Sequence, residues 1–364
     1  MGAEAGEVLF TGFPGFIGAR LLPRLLELSP GWHFRCLVQE RFLPQAREGI
    51  AALERDHTHT RGRLGVVVGD ITHEDLGLGR SEARALAGTL QAAFHLAAVY
   101  DLAVPREVGV RINVEGTRNV LRLLQDAPRL ERLHYVSTAY VSGRATGVFR
   151  EGDLDVGQSF KNHYEETKFL AEVDVVNSGV PATIYRPSIV VGDSRTGETA
   201  KFDGPYFVMS AMERLPSPGV FPRIGSGKSV VDLAPVDFVI EALARLATAS
   251  ASRGKRYHLT DPDPPTALEI ARLLARALGK RFAFVPVPKH LASAAFGPRA
   301  VQEFFGMPVQ ALAYFDHACR HDATESLRDL GPMGVRCPPF AAYVDRLVRF
   351  YREKKAEVRR GAMC

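Results

Sequence analysis

EVLFTGFPGFIG, residues 7–18, is an apolar run of strand length that turns through Gly12, Gly15 and Gly18 directly into the amphipathic segment FIGARLLPRLLEL (16–28). A strand entering a helix through glycines at this spacing is the pattern of a dinucleotide-binding turn. The first glycine makes the tight turn, the second lets backbone N–H groups approach a pyrophosphate, and the third lets helix and strand pack closely. The helix N-terminus offers its positive end to the phosphates. Gly12, Gly15, Phe16, Ile17 and Gly18 are therefore expected against the cofactor.

Working outward, apolar runs alternate with helix-period segments up to residue 193. HFRCLVQ (33–39), LGVVVGD (64–70), AAFHLAA (92–98), RLHYVST (132–138) and ATIYRPSIVVG (182–192) read as further strands. VEGTRNVLRLLQDA (114–127) and HYEETKFLAEVDVVNSG (163–179) carry apolar residues at helical spacing. This βαβα rhythm predicts an α/β fold, a doubly wound parallel sheet covered on both faces. Residues 194–228, rich in Gly, Pro and Ser, break the rhythm, PVDFVIEALARLATAS (235–250) returns as a helix, and KRYHLTD (255–261) is a further short strand. The expected division is a Rossmann domain of 1–193 plus 229–262, and a smaller, mostly helical C-terminal substrate lobe of 194–228 plus 263–364.

The 364 residues are 46% apolar and 24% charged, ordinary usage for a globular chain. Of the net charge of +5, residues 345–364 hold +4, from seven Lys/Arg against three Asp/Glu. The near-neutral remainder argues against a nucleic-acid groove. No run approaches the ~18 apolar residues of a spanning helix. MGAEAGEVLF has no basic n-region, Gly2 lacks the Ser or Thr that myristoylation favours, and Cys364 stands last, where a prenyl box needs it fourth from the end. Cys36, Cys319, Cys337 and Cys364 form neither a CxxC nor a disulfide framework. A reducing cytoplasm is the expected compartment.

Asp70, ending the third strand, can accept from an adenine amine while Ile71 packs on the ring, and Ala97 in HLAA is expected beside the cofactor. Where an NAD enzyme places an acid for the ribose 2′-hydroxyl, this chain has Gln39, Glu40 and Arg41. Arg41 is the nearest candidate for a 2′-phosphate, so NADP(H) is favoured, with NAD(H) open through Glu40. Tyr164 and Lys168 lie one helical turn apart, where an ammonium can depress a phenol's pKa and make it a usable general acid. Ser137 and Thr138 end the fifth strand, where open α/β sheets bring functional groups to the carboxyl edge. Asn113 is a structural or relay candidate, with helix capping as its alternative. Tyr351 and Lys355 repeat the tyrosine–lysine spacing in the basic C-terminal helix and read as an amphipathic helix with a solvated charged face.

Together TGFPGFIG, GDI, HLAA, NVEGTRNV, the strand ending in Ser137 and Thr138, and YEETK resemble the extended short-chain dehydrogenase/reductases. HYVSTAYVSG, YEETKFLAE, YRPSIVVGDSRTGE and DGPYFVM are similar to its thioester reductase branch, which includes fatty acyl-CoA reductases and the terminal reductase domains of carboxylic acid reductases and peptide synthetases. The resemblance covers residues 7 to about 260 and implies Thr138 as the triad hydroxyl, Tyr164 as proton donor, Lys168 on the nicotinamide ribose and Asn113 in the relay. Gln39 stands where that branch usually carries Arg. The implied activity is NAD(P)H-dependent reduction of an acyl thioester, on coenzyme A or a carrier protein, to an aldehyde, with a second reduction to the alcohol left open. The rivals are an extended-type ketone or alcohol dehydrogenase or epimerase, acting on a sterol, flavonoid or nucleotide sugar, and a non-catalytic nucleotide-binding protein.

Phe202, Tyr206 and Phe207, in the Gly/Pro-rich excursion, are expected to wall an acyl chain together with Met209 and Met212, with Ser137 beside the substrate. His317 and His321 are spaced to share a helix face, but HACRH lacks the Glu of HExxH and shows no third ligand, so no metal is expected. The basic C-terminal segment suits a helix dipole, an acidic carrier protein or a membrane surface.

Overall fold

The computed structural model describes residues 6–299, 301–302, 312–314 and 317–361; Gly2 and Cys364, weighed above for lipidation, lie outside them. The elements run β1 (Gly6–Thr11), α1 (Phe16–Leu28), β2 (Trp32–Val38), α2 (Leu43–Asp56), β3 (Leu64–Val68), α3 (Arg80–Thr89) and β4 (Leu90–His95). They continue with α4 (Arg106–Gly109), a π-helical turn (Val110–Glu115), α5 (Gly116–Gln125), β5 (Arg132–Val136), β6 (Gly147–Phe149), α6 (His163–Asn177), β7 (Ala182–Pro187) and β8 (Ile189–Val191). Then come α7 (Pro205–Arg214), β9 (Gly219–Ile224), β10 (Leu233–Pro235), α8 (Val236–Thr248), β11 (Arg256–Leu259), α9 (Ala267–Ala277), β12 (Phe282–Val287) and α10 (Lys289–Phe296). Beyond these lie β13 (Cys319–His321), α11 (Thr324–Leu330) and α12 (Val344–Gly361).

β11-β7-β5-β4-β1-β2-β3 form one seven-stranded sheet in which every pairing is parallel. Such strands are buried on both faces, which is why they read as continuous apolar runs. One face packs against α1 and α8, through Leu21, Leu22, Leu25 and Leu26 opposite Val239 and Leu243. The other packs against α3, α5 and α6, through Ala83, Val120, Leu124, Ala171 and Val175. An aromatic ladder crosses the first face, one ring per strand. Phe34, Phe10, Phe94, His134, Tyr185 and Tyr257 follow one another at centroid separations of 5.9, 5.9, 4.2, 6.1 and 6.3 Å. His134 is tolerated there because burial holds it neutral and its Nδ1 meets the Tyr185 hydroxyl at 2.9 Å.

The sheet is thus the doubly wound architecture that the sequence predicts, with two local differences. ATIYRPSIVVG is not one strand: β7 stays in the sheet, whereas β8 leaves after Pro187 and Ser188 to pair with β10. The C-terminal segment, expected to be mostly helical, also carries strands, β12 pairing with β9 and β13 with β6. β6 and β13 span only three residues each, and Pro222 and Pro286 sit inside the six-residue β9 and β12, where proline argues against a strand. A separate apolar cluster joins Tyr206, Met209, Met212, Leu274, Leu347 and Tyr351 with Val191 and Leu233, so it crosses the expected lobe boundaries. The C-terminal cations are partly consumed here, since Arg352 donates to the Leu278 carbonyl at 2.6 Å and Lys355 meets Glu213 at 2.8 Å. Among the described residues no helix is long and apolar enough to cross a membrane.

α6 is fastened to the sheet by a fully buried ion pair. Arg186 on β7 donates to Glu172 on α6 from Nε at 3.0 Å and from Nη2 at 2.6 Å, and its remaining N–H groups reach the carbonyls of Glu151 and Asp153. Removing one member strands the other charge in the core, which costs ~3–5 kcal/mol. Urea denaturation of Glu172→Ala should show a loss of that size; a change below about 1 kcal/mol would mean that the pair contributes little to stability.

Candidate active site

The carboxyl ends of β1, β4, β5 and β7 open onto one cleft of about 940 Å³. At its floor Gly12 has φ +92°, a conformation that a side chain would strain. A Cβ on Gly18 would lie 2.5 Å from the Gly12 carbonyl oxygen, and one on Gly15 would lie 2.8 Å from the same atom. Both clashes are with backbone, so this turn admits only glycine. The result is a bare backbone cradle at the start of α1, and it fits a dinucleotide pyrophosphate. Phe16, Ile17, Arg41, Ile71 and Ala97 also line the cleft.

At the adenosine end the outcome is more specific than spacing suggested. Asp70 does not line the cleft. Its carboxylate accepts from the Thr72 N–H and from Gln39 Nε2, both at 2.9 Å, and these bonds outweigh burial and hold it below its ordinary pKa. Gln39 in turn accepts from Arg41 Nε at 2.8 Å, and the Arg41 guanidinium lies 4.6 Å over the Phe42 ring. Gln39 therefore couples Asp70 to Arg41, and Glu40 is absent from the cleft lining.

Thr138, Tyr164 and Lys168 all line the cleft. Thr138 Oγ1 accepts from the Tyr140 N–H at 3.2 Å, which caps the turn Ala139–Ser142, and its hydroxyl lies beside the Tyr164 phenol. Burial pushes the Tyr164 pKa up, partly offset by the Thr138 hydroxyl, so the phenol keeps its proton. This corrects the expected depression by Lys168. The Lys168 Nζ donates instead to the Tyr135 hydroxyl at 2.9 Å and the Val136 carbonyl at 2.8 Å. Burial lowers its pKa to about 7, against the pull of Glu172.

Ser137 lines the cleft, but its hydroxyl donates to Glu172 at 2.5 Å, so it serves the ion pair that anchors α6. Asn113 is neither a cap nor a cleft residue. It sits buried in the π-helical turn, where Nδ2 donates to Thr167 Oγ1 at 3.0 Å and Oδ1 accepts from the Val99 N–H at 2.9 Å. It ties the segment after β4 to α6 and so positions Tyr164 indirectly. Of the expected acyl wall, Phe207 lines the cleft. Tyr206 and Phe202 face the other way, into an aromatic cluster with Tyr351 in which Phe202 lies 5.1 Å from each of the other rings. Met209 and Met212 are core. Gly and Pro flank this stretch, yet α7 is amphipathic and buries the face that carries Tyr206. Tyr351 is buried in that same cluster, on the apolar face of the amphipathic C-terminal helix, while Lys355 is on its more exposed side.

Several functional positions escaped the sequence reading. His95 bridges Thr11 Oγ1 at 2.7 Å and Thr117 Oγ1 at 3.0 Å, with burial lowering its pKa to about 3; the signal was an imidazole inside an apolar strand. Tyr100 packs edge-on against Tyr164 at 5.0 Å and lies beside Asp203, whose carboxyl burial pushes up. Phe221, Leu268 and Phe284 extend the apolar wall. Nothing local marks these residues, because three separate segments supply them.

A family model described as "Male sterility protein" matches residues 10–243. Over 286 residues the chain is 27% identical to the non-canonical nonribosomal peptide synthetase FrzA of Cladobotryum sp, covering 74% of this chain and 27% of that protein. Over 275 residues it is 29% identical to the non-canonical nonribosomal peptide synthetase cpsA of Aspergillus campestris, covering 71% of this chain and 26% of that protein. The chain thus spans less than a third of the curated relatives it matches. Among solved structures, the terminal R domain from the myxalamid PKS-NRPS biosynthetic pathway superposes with a TM-score of 0.82 at 28% identity, covering 98% of this chain and 92% of that one.

The titration of Lys168 gives a stability test. Its folded pKa of about 7 lies below the ordinary 10.5. Between those values the unfolded chain binds a proton that the folded chain lacks, so stability rises with pH; below about 7 the cost of the buried charge is present in full. Denaturation of wild type and Lys168→Met should show the difference moving in favour of wild type by up to about 1.4 kcal/mol per pH unit above pH 7. A difference independent of pH would show that Lys168 keeps its proton.

Proposed function

The chain belongs to the male sterility protein family of NAD-binding domains, and from that premise we propose that it reduces an acyl thioester, carrier-bound or on coenzyme A, to the aldehyde with NADPH. The observation that carries this reading is one continuous cleft, with a glycine cradle at one end, Thr138 and Tyr164 at its centre and an apolar wall of Phe207, Phe221, Leu268 and Phe284 beyond. The peptide synthetases and the R domain among its relatives support an acyl group delivered on a carrier. Residues 194–228 and 263–364 supply most of the acyl wall and act as the substrate lobe.

The nicotinamide, when bound, supplies hydride. Gly12, Gly15 and Gly18 would hold its pyrophosphate, Ile71 and Ala97 its adenosine half, and Lys168 a ribose. The side chains of this protein manage the carbonyl oxygen. Thr138 and Tyr164 donate to it, and the Tyr164 phenol passes its proton to the oxygen as negative charge develops there. The raised pKa of Tyr164 suits this role, because a general acid must hold its proton at neutral pH. The hemithioacetal so formed loses its C–S bond, the thiol leaves with the hydroxyl proton, and the aldehyde remains. In balance, thioester, NADPH and a proton give aldehyde, thiol and NADP⁺. A second round on the aldehyde would yield the alcohol.

Arg41 is the residue proposed to read the 2′-phosphate, since its hydrogen bond to Gln39 uses only Nε. Arg41→Ala should weaken NADPH by ~1.5–3 kcal/mol and leave NADH nearly unchanged in binding titrations, whereas equal losses would mean that Arg41 only packs against the adenosine.

The decisive assay follows NADPH oxidation and thiol release together on a panel of acyl thioesters, aldehydes and ketones. Equal amounts of NADP⁺ and free thiol are expected, with Tyr164→Phe slowing turnover ~10²–10⁴-fold while cofactor affinity changes only a few-fold. Oxidation on ketones or aldehydes without thiol release from any thioester would sink the proposal. Lengthening the acyl chain should raise kcat/KM by up to ~0.8 kcal/mol per buried methylene, and Phe207→Asp should erase that gain while sparing short substrates.

A further inference from the structure

HACRH (317–321) is not helical. The chain is extended into β13, so alternate side chains share one face, and His317, Cys319 and His321 converge. One donor atom from each lies within 4.8 Å of the others, and all three residues are buried, at 4, 0 and 8% exposure. Helical spacing would have paired only the two histidines; extension adds a sulfur between them.

Two further observations point to a ligand. Neither ring nitrogen of His317 has a hydrogen-bond partner among the described residues. Burying an imidazole with both nitrogens unsatisfied is costly unless a ligand meets it. His321, by contrast, is oriented. Its Nδ1 is hydrogen-bonded to Asp232, while Nε2 lies 3.1 Å from Ser142 Oγ. A carboxylate on Nδ1 fixes the proton there and frees Nε2 for a metal, the outer-shell arrangement found behind most metal-bound histidines. The Cys319 thiol makes a long contact of 3.6 Å to the Arg320 carbonyl and lies beside the Phe149 backbone and the Ser142 side chain. The neighbouring cation, Lys161, is matched by Glu165 at 3.3 Å.

We propose that His317, Cys319 and His321 form a binding site for a zinc-class divalent cation. Two imidazoles and a thiolate are a borderline-soft set suited to that ion, with the fourth position facing the Ser142 hydroxyl. Tetrahedral donors stand roughly 3.3–3.8 Å apart, so the side chains close by about 1 Å on binding. Coordination releases the Cys319 proton to solvent and involves no redox change. The site is structural: it clamps β13 to the turn Ala139–Ser142, whose Tyr140 N–H holds Thr138 and whose Tyr140 ring lies 5.4 and 5.6 Å from the two imidazoles. It stands independently of the substrate reading.

The test uses the full chain, stripped with a chelator and titrated with zinc chloride against a competing chelator, and separately with cobalt chloride. One equivalent of zinc per chain is expected, with a rise in Tm. The cobalt form should show a thiolate-to-metal charge-transfer band. That band should vanish in Cys319→Ser, which retains the other three cysteines, and zinc affinity should fall at least tenfold in His317→Gln. Circular dichroism and cofactor binding check that both variants fold, and should either fail, the wild-type stoichiometry and charge-transfer band still decide. Less than a tenth of an equivalent bound to wild type, or a charge-transfer band unchanged by Cys319→Ser, would overturn the assignment.

Discussion

The Glu172–Arg186 pair holds α6 in register with β5 and β7 at the edge that carries Thr138 and Tyr164. Glu172 lies one turn along α6 from Lys168, and its carboxylate binds Arg186 of β7 and Ser137 at the end of β5. One buried carboxylate thereby fixes the helix carrying Tyr164 against the two strands that present Thr138 and Pro187. Burying both charges is tolerable because Arg186 is saturated by carbonyls as well as by Glu172. Glu151 extends the clamp, accepting from the His258 N–H at 2.9 Å and the Ser326 hydroxyl at 2.5 Å, so β11 and α11 close over the same point. Asn113 performs the matching task at the other end of α6. Rigid elements so tied hold a catalytic geometry better than loops can.

Within that frame burial shapes the titratable groups around Thr138. Tyr164 keeps its proton, Lys168 sits near the balance point between its two forms, and His95 is neutral, all chiefly because burial disfavours the charged state. A phenol that is neutral in a dry, preorganised site is ready to donate wherever negative charge develops on a carbonyl oxygen. Lys168 is engaged by Tyr135 and Val136, so the tyrosine and lysine do not form one titrating pair, although helical spacing alone would couple them.

The apolar wall of the cleft is assembled from segments distant in sequence. Phe207 comes from α7, Phe221 from β9, Leu268 from α9 and Phe284 from β12. The pairing of β9 with β12 brings two of them side by side, with Phe221 directly opposite Phe284 in register. Each strand alternates between the cleft and the outer surface, leaving Val220 and Val285 exposed. The apolar end of the cleft therefore depends on how α7, β9, α9 and β12 pack together.

The sequence by itself determined the doubly wound sheet, the glycine cradle at Gly12, Gly15 and Gly18, and the presence of Thr138, Tyr164 and Lys168 at one edge. These rest on local physics: strand and helix periods, backbone conformations open only to glycine, and the rule that parallel strands bring their carboxyl ends together. Tertiary structure alone decided what each side chain touches. Ser137 was diverted to Glu172, Asp70 to Gln39, Tyr206 and Phe202 to a core shared with Tyr351, and Cys319 to a face with two histidines. In each case the deciding partner lies far away in the chain, on an element whose register no local pattern specifies. A buried polar group bonds to whichever partner folding brings within reach.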